Sequence, residues 1–200
     1  MKTLRGALAV FVVVPFLSAC GEGGLEGKSV SGFSADADGW LISGDANAAS
    51  VKPDYNGTGG NPDGLISAKD EVTGGVWYFV APQKYLGNNG SVAGKNLRFD
   101  LKVDATPTNP FDDIDVKLEG GGVTLVFNTE NNPVGDKWTS YVVPLKASAG
   151  WKVTTLSGVA ATDADMTTAL GATTALWIRG EFNTGADTGY LDNVRWGASN

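Results

Sequence analysis

Residues 96–104 read NLRFDLKVD, and their strict alternation leaves this chain little choice of fold. Leu97, Phe99, Leu101 and Val103 fall on one side of an extended backbone, and Arg98, Asp100, Lys102 and Asp104 on the other. A period of two marks a half-buried antiparallel strand, apolar toward a core and charged toward water. The pattern returns at residues 114–119, with Ile114, Val116 and Leu118 inward and Asp115, Lys117 and Glu119 outward. Gly120, Gly121 and Gly122 supply a turn, and residues 123–128 supply the partner strand of a hairpin. Residues 138–145 (WTSYVVPL), 176–182 (LWIRGEF) and 190–196 (YLDNVRW) read as further strands. In the second of these, Leu176, Ile178 and Phe182 face one way and Trp177, Arg179 and Glu181 the other.

Residues 60–82 add a turn (Asn61, Pro62, Asp63, Gly64), a short β run at 65–68, a polar loop and the aromatic run 76–80, closed by Pro82. Earlier, GFSADADGW offers Phe33 and Trp40 as core anchors around a loop, with strands expected at 40–43 and near 50–52. The one helical signal is 162–170, where Thr162 is the N-cap, Asp163 and Asp165 occupy the first turn and Gly171 stops the helix. About eight to ten short strands with regular turn signals predict an all-β chain, a two-sheet antiparallel β-sandwich of jelly-roll type with one short helix.

The N-terminus reads as an address. Lys2 and Arg5 precede an apolar stretch at 7–16 that is too short to span a bilayer as a helix. Leu17, Ser18, Ala19 and Cys20 then resemble a bacterial lipobox, in which Cys20 becomes the first mature residue and carries lipid; the other reading is an ordinary cleavable signal with a chance cysteine. Gly21 in place of Asp implies the outer membrane for lipoproteins of this type. The expected organisation is a signal peptide at 1–20, a glycine-rich flexible tether at 21–31 and one domain at 32–200, held at the bacterial cell envelope.

Composition removes several chemistries. The chain has no histidine, which excludes Ser-His-Asp and Cys-His triads and His-ligated zinc sites. Its single cysteine, Cys20, excludes an intramolecular disulfide. A net charge of -7 argues against nucleic acid as a partner. Asp36, Asp38 and Gly39 begin like an EF-hand loop, but Trp40 at the fifth position and the lack of Glu at the twelfth reject that motif. A solvated turn and a share in another kind of Ca²⁺ site both remain for Asp36.

Several segments, in order, resemble the laminin B domain (laminin domain IV, type A): GFSADADGW, GNPDGLISAKDEVTGGVWYFVAP with KYLG after it, GKNLRFDLKV, KLEGGGVTLVF, WTSYVVPL, the pair Gly150 and Trp151, LWIRGEF and TGYLDNVRW. The resemblance covers residues 33–196. It implies no catalytic residue, since that family has none known. The epidermal-growth-factor-like repeats that flank the domain in laminins are not in this sequence, so the matrix-assembly role does not carry over by itself. The family is also similar to jelly-roll carbohydrate-binding modules, whose last strand often gives an Asp to a structural Ca²⁺. The resemblance implies Asp192 in that role, with Asp36 and then Asp70 as partners; a turn or capping role for Asp192 is the alternative.

Three functional readings follow. The outward residues Arg98, Glu119, Trp177, Arg179 and Glu181, with Asp100 and Lys117, form a sugar-binding surface if their strands share one sheet. An ordinary solvated face with cross-strand ion pairs is the competing reading. A glycosidase would need Glu119 and Glu181 across one groove. A protein-binding adhesive domain is the third reading; Arg179-Gly180-Glu181 differs from an integrin motif and lies in an expected strand, so it gives no support. The expectation is a lipid-anchored, non-catalytic surface module for a carbohydrate or matrix-like ligand, with a possible structural Ca²⁺.

Overall fold

The computed structural model describes residues 26–44, 46, 51–70, 75–104 and 108–199. Among these residues twelve strands run β1 (Ser29–Ser31), β2 (Leu41–Ser43), β3 (Asp54–Asn56), β4 (Leu65–Lys69), β5 (Tyr78–Val80), β6 (Asn96–Val103), β7 (Val116–Gly120), β8 (Val123–Phe127), β9 (Thr139–Pro144), β10 (Lys152–Val153), β11 (Thr173–Arg179) and β12 (Thr188–Ala198). The first sheet has the order β3-β4-β12-β6-β9, with β1 also paired to β12; the second has the order β10-β8-β7-β11-β5-β2. Every pairing is antiparallel. The architecture is the expected two-sheet sandwich with one short helix, and among the described residues the strands lie within 29–198.

The inward residues of both sheets meet in a single core. Leu97, Phe99, Leu101 and Val103 from β6 pack with Val116 and Leu118 from β7 and Leu176 and Ile178 from β11. The helix α1 (Asp163–Gly171) closes one end with Met166, Ala169 and Leu170. Its start is fixed as the sequence predicts: the Thr162 hydroxyl accepts from the Asp165 backbone N–H, and the Asp165 carboxylate accepts from the Thr162 N–H.

Two segments differ from expectation. Residues 29–31 are a strand rather than part of a tether. β4 covers one edge of β12 from Thr188 to Leu191, and β1 continues along that edge against Val194, Arg195 and Trp196. Ser31 is buried there, and its hydroxyl accepts from Trp40 Nε1 at 2.9 Å and from the Tyr85 hydroxyl at 2.8 Å. The short strand expected near 50–52 falls instead at β3, and Ser50 lies outside the described residues.

The two sheets are joined at one end by Trp77, which is fully buried just before β5. A Cβ on Gly180 would meet its ring at 1.9 Å, and one on Gly189 of β12 would lie 2.2 Å from the Gly180 carbonyl oxygen and 2.9 Å from the Trp77 ring. Both positions therefore exclude any side chain. Gly180→Ala is expected to destabilise the fold by about 3 kcal/mol through overpacking, measured as a lower denaturant midpoint.

Candidate functional site

Strand register assembles an aromatic and charged strip on the outward face of the second sheet. β11 places Trp177 beside Lys117 of β7 on one side and Val80 of β5 on the other, and Arg179 beside Tyr78. The Trp177 and Tyr78 rings are half-buried, with centroids 5.7 Å apart and planes tilted by 48°. Lys117 Nζ lies 3.9 Å from the Trp177 ring centroid and 3.1 Å from Glu119 Oε1. Trp177, Lys117 and Glu119 thus share one surface, as the alternation predicts, and Tyr78 joins them.

Arg179 has the expected parity but is not exposed. It is completely buried and paired with Asp115, Nε to Oδ1 at 3.2 Å. Loops cover it: the guanidinium carbon lies 5.3 Å from the Phe111 ring and 4.1 Å from the Phe182 ring. Nη2 donates to the Phe111 carbonyl at 3.2 Å and to Asn132 Oδ1 at 2.9 Å. Asp115, also expected outward, is buried by the same cover and accepts from Thr129 N at 2.6 Å and Thr129 Oγ1 at 2.7 Å. Burial pushes the Asp115 carboxyl up, opposed by the Arg179 charge and the Thr129 hydrogen bonds. Arg179 is therefore a positioning residue that fastens two loops over the sheet, and it is removed from the set of ligand contacts.

One row further along the same face, the chain opens a cavity of about 230 Å³ lined by Asp70, Gly75, Val76, Phe111, Glu181, Thr184 and Gly185. Val76 and Glu181 lie two residues beyond Tyr78 and Arg179, which puts the cavity at the end of the strip, and Asp70, which follows β4 of the first sheet, completes its lining. Glu181 is nearly buried and accepts from the Trp77 backbone N–H at 3.3 Å. Behind it, Asp187 accepts from Phe182 N at 3.3 Å, and burial followed by the neighbouring Asp70 charge pushes its carboxyl up to about 6. Glu119 stands opposite Ala175, six residues before Glu181, or about 20 Å of extended chain. The carboxyls of a glycosidase pair lie about 5–9.5 Å apart.

Arg98 is on the other sheet, in β6, where Arg195 of β12 is its partner. The surface expected to hold all five residues is thus divided between the two faces of the sandwich.

The residues expected around Ca²⁺ do not form one donor set. Asp192 is wholly buried and accepts from the backbone N–H groups of Asn61 and Asn193, each at 2.6 Å. Its cross-strand neighbour Asp100 accepts from Asn61 Nδ2 at 3.1 Å and Asn193 Nδ2 at 2.8 Å. Asp36 accepts from the Asp38 N–H at 2.7 Å in an exposed turn, and Asp70, which follows β4, lines the cavity beside Glu181. Among the described residues no three acidic, His or Cys groups converge as metal ligands. Asp192 is thus engaged by backbone N–H groups, and among the described residues Asp36, Asp70 and Asp192 do not meet in one cluster. Cys20 lies outside the described residues.

Sequence reading passed over Tyr78 and Phe111. Tyr78 sits in the aromatic run 76–80, where alternation against buried Trp77 and Phe79 turns it outward. Phe111 comes from a loop without periodicity.

Burial also pushes Asp192 up to about 6, with Asp100 and Asp63 adding to the shift. Asp187 and Asp192 hold their protons to about pH 6 when folded but only to about 3.8 otherwise. The folded chain binds the extra protons between those values, so stability falls as pH rises from about 4 to 6. The melting temperature at pH 5 is expected to exceed that at pH 7, and Asp187→Asn to narrow the difference, as read by thermal denaturation.

The Laminin B (Domain IV) family matches residues 78–200. Laminin subunit gamma-2 of Equus caballus is 34% identical over 98 residues, covering 49% of this chain and 8% of that protein. This chain therefore spans only a small part of that relative's length. Among solved structures, the L4b domain of human laminin alpha-2 superposes with a TM-score of 0.57 at 15% identity, covering 65% of this chain and 77% of that one. The family 30 carbohydrate-binding module of a cellulosomal cellulase of Clostridium thermocellum gives 0.51 at 11% identity, covering 85% and 93%. These structures share the sandwich fold. With its family match running through eight of the strands and the helix, the chain belongs to the Laminin B (Domain IV) family.

Proposed function

We propose that this protein is a non-catalytic binding module, held at the bacterial cell envelope by lipid on Cys20, whose outward second-sheet face takes a carbohydrate. The observation that carries the reading is the tilted Trp177–Tyr78 pair, flanked by the Lys117–Glu119 ion pair and continuing into the cavity at Phe111 and Glu181. Aromatic faces stack on the apolar faces of sugar rings, while the ion pair and the Glu181 carboxylate offer donors and acceptors to hydroxyls. The fold likeness to a solved carbohydrate-binding module supports the same class of ligand. A matrix-type protein ligand is the second reading, favoured by the identity to a laminin subunit.

The chain lacking residues 1–20 is expected to bind members of a glycan array, and Trp177→Ala to weaken that binding at least tenfold with an unchanged melting temperature. Full affinity in the variant would remove the aromatic pair from the site, and no glycan bound by the unsubstituted chain would favour the protein-ligand reading. In the full chain, Cys20→Ser is expected to move the protein from the membrane fraction to the soluble fraction, because acyl chains supply the anchor. Retention of that variant in membranes would overturn the lipoprotein assignment.

A further inference from the structure

The outward face of the first sheet carries two like-charged pairs in register, and they are treated differently. β12 sets Asp192 against Asp100 and Arg195 against Arg98. Like charges directly opposite one another on a sheet repel. The acidic pair is answered inside the fold, by the amides and N–H groups of Asn61 and Asn193. The arginine pair is not. Among the described residues neither guanidinium has a carboxylate within ion-pairing distance. Both side chains are half-buried: Arg98 Nη2 reaches the Ser199 carbonyl at 3.3 Å, and Arg195 Nε is buried without a hydrogen-bond partner, which leaves the outer guanidinium nitrogens to face solvent. Val30 of β1 and Val142 of β9 flank the two arginines in the same row, so no acidic side chain approaches from either side.

Four residues along β6, about 13 Å of strand, the same face carries a second aromatic group. Lys102 Nζ lies 4.5 Å from the Tyr190 ring centroid and 5.4 Å from that of Trp138, and 3.1 Å from Asp136. Both rings are half-buried and partly open to solvent. A cationic pair and two rings on one sheet face, separated by the Asp100–Asp192 pair under its Asn61 and Asn193 amides, match a chain of sugar rings bearing negative groups.

We propose that Arg98 and Arg195 form a second binding site, on the sheet opposite Trp177, for the carboxylate or sulfate groups of an acidic polysaccharide whose neighbouring rings pack on Tyr190 and Trp138. Guanidinium groups bind such oxyanions with paired N–H donors, and an anion between them cancels the repulsion that the register imposes. The site shares with the proposed function only the class of ligand, and because the two faces are on different sheets, separate variants tell their failures apart. The net charge of -7 makes the test sharp, since a chain this acidic does not adhere to a polyanion without a local cationic site.

The chain lacking residues 1–20 is run through native gels containing polygalacturonate, dextran sulfate or neutral hydroxyethylcellulose. Retardation by at least one polyanion is expected at low salt, with loss at about 1 M salt. Arg98→Gln with Arg195→Gln is expected to weaken retardation at least tenfold with the melting temperature preserved, while Trp177→Ala leaves it intact. Should the glutamine pair unfold, Arg98→Lys with Arg195→Lys keeps both charges but removes the forked donors, and is expected to weaken retardation partially. No retardation of the unsubstituted chain, or retardation indifferent to either arginine variant, overturns the proposal. Arginine-dependent sedimentation with phosphatidylglycerol vesicles in the absence of polysaccharide retardation also overturns it, in favour of a lipid headgroup.

Discussion

The fully buried ring of Trp77 lies against the backbone of Gly180 and Gly189, and that contact sets how the two sheets meet. Trp77 leads into β5 and Gly180 follows β11, both in the second sheet, whereas Gly189 belongs to β12 in the first. A tryptophan large enough to bridge the layers demands backbone without side chains beneath it. Gly180 therefore serves packing, which is why the triplet Arg179-Gly180-Glu181 has the form of a recognition motif without the exposure of one. The same contact orients the segment after β11, since Glu181 accepts a hydrogen bond from the Trp77 N–H and lines the cavity at the end of the aromatic strip.

Beside that joint, the buried Arg179–Asp115 pair decides the shape of the surface. A buried ion pair contributes little net stability, but removing one partner strands the other charge and costs about 3–5 kcal/mol. The guanidinium also spends donors on Phe111 and Asn132, and Asp115 accepts from Thr129. The pair thereby converts charge at the edge of a sheet into fixed loop positions, and the wall beside Trp177 depends on it.

The parity of each long strand was legible from alternation alone. Trp177, Lys117 and Glu119 face the same way, and the capping box at Thr162 and Asp165 was readable from four residues. Burial of Arg179 was not legible, because its cover arrives from Phe111 and Asn132, 68 and 47 residues away in loops without a period. Nor does alternation say which sheet a strand joins. β6 pairs with β12 almost a hundred residues later, and that non-local choice carried Arg98 to the face opposite Trp177. The short strand β1 escaped notice for a related reason: Ser29, Val30 and Ser31 have no strand-like periodicity, and they are ordered by an open stretch of the β12 edge.

The register between β6 and β12 also explains how this acidic chain distributes its charges. A sheet that opposes Asp to Asp and Arg to Arg needs neutralisation from elsewhere, because diagonal Asp–Arg pairs do not form within ion-pairing distance here. The bulge after Asp192 turns Asn193 into the left-handed region at φ 52° and brings its amide onto Asp100, and the residue-61 loop closes over both carboxylates. Uncharged donors suffice for the acids at the expense of raised proton affinity, as Asp192 shows. Among the described residues no comparable acceptor loop covers the arginines. The fold thus answers one like-charged pair with its own amides and leaves the adjacent pair half-buried between two valines, with Arg98 answered by the Ser199 carbonyl.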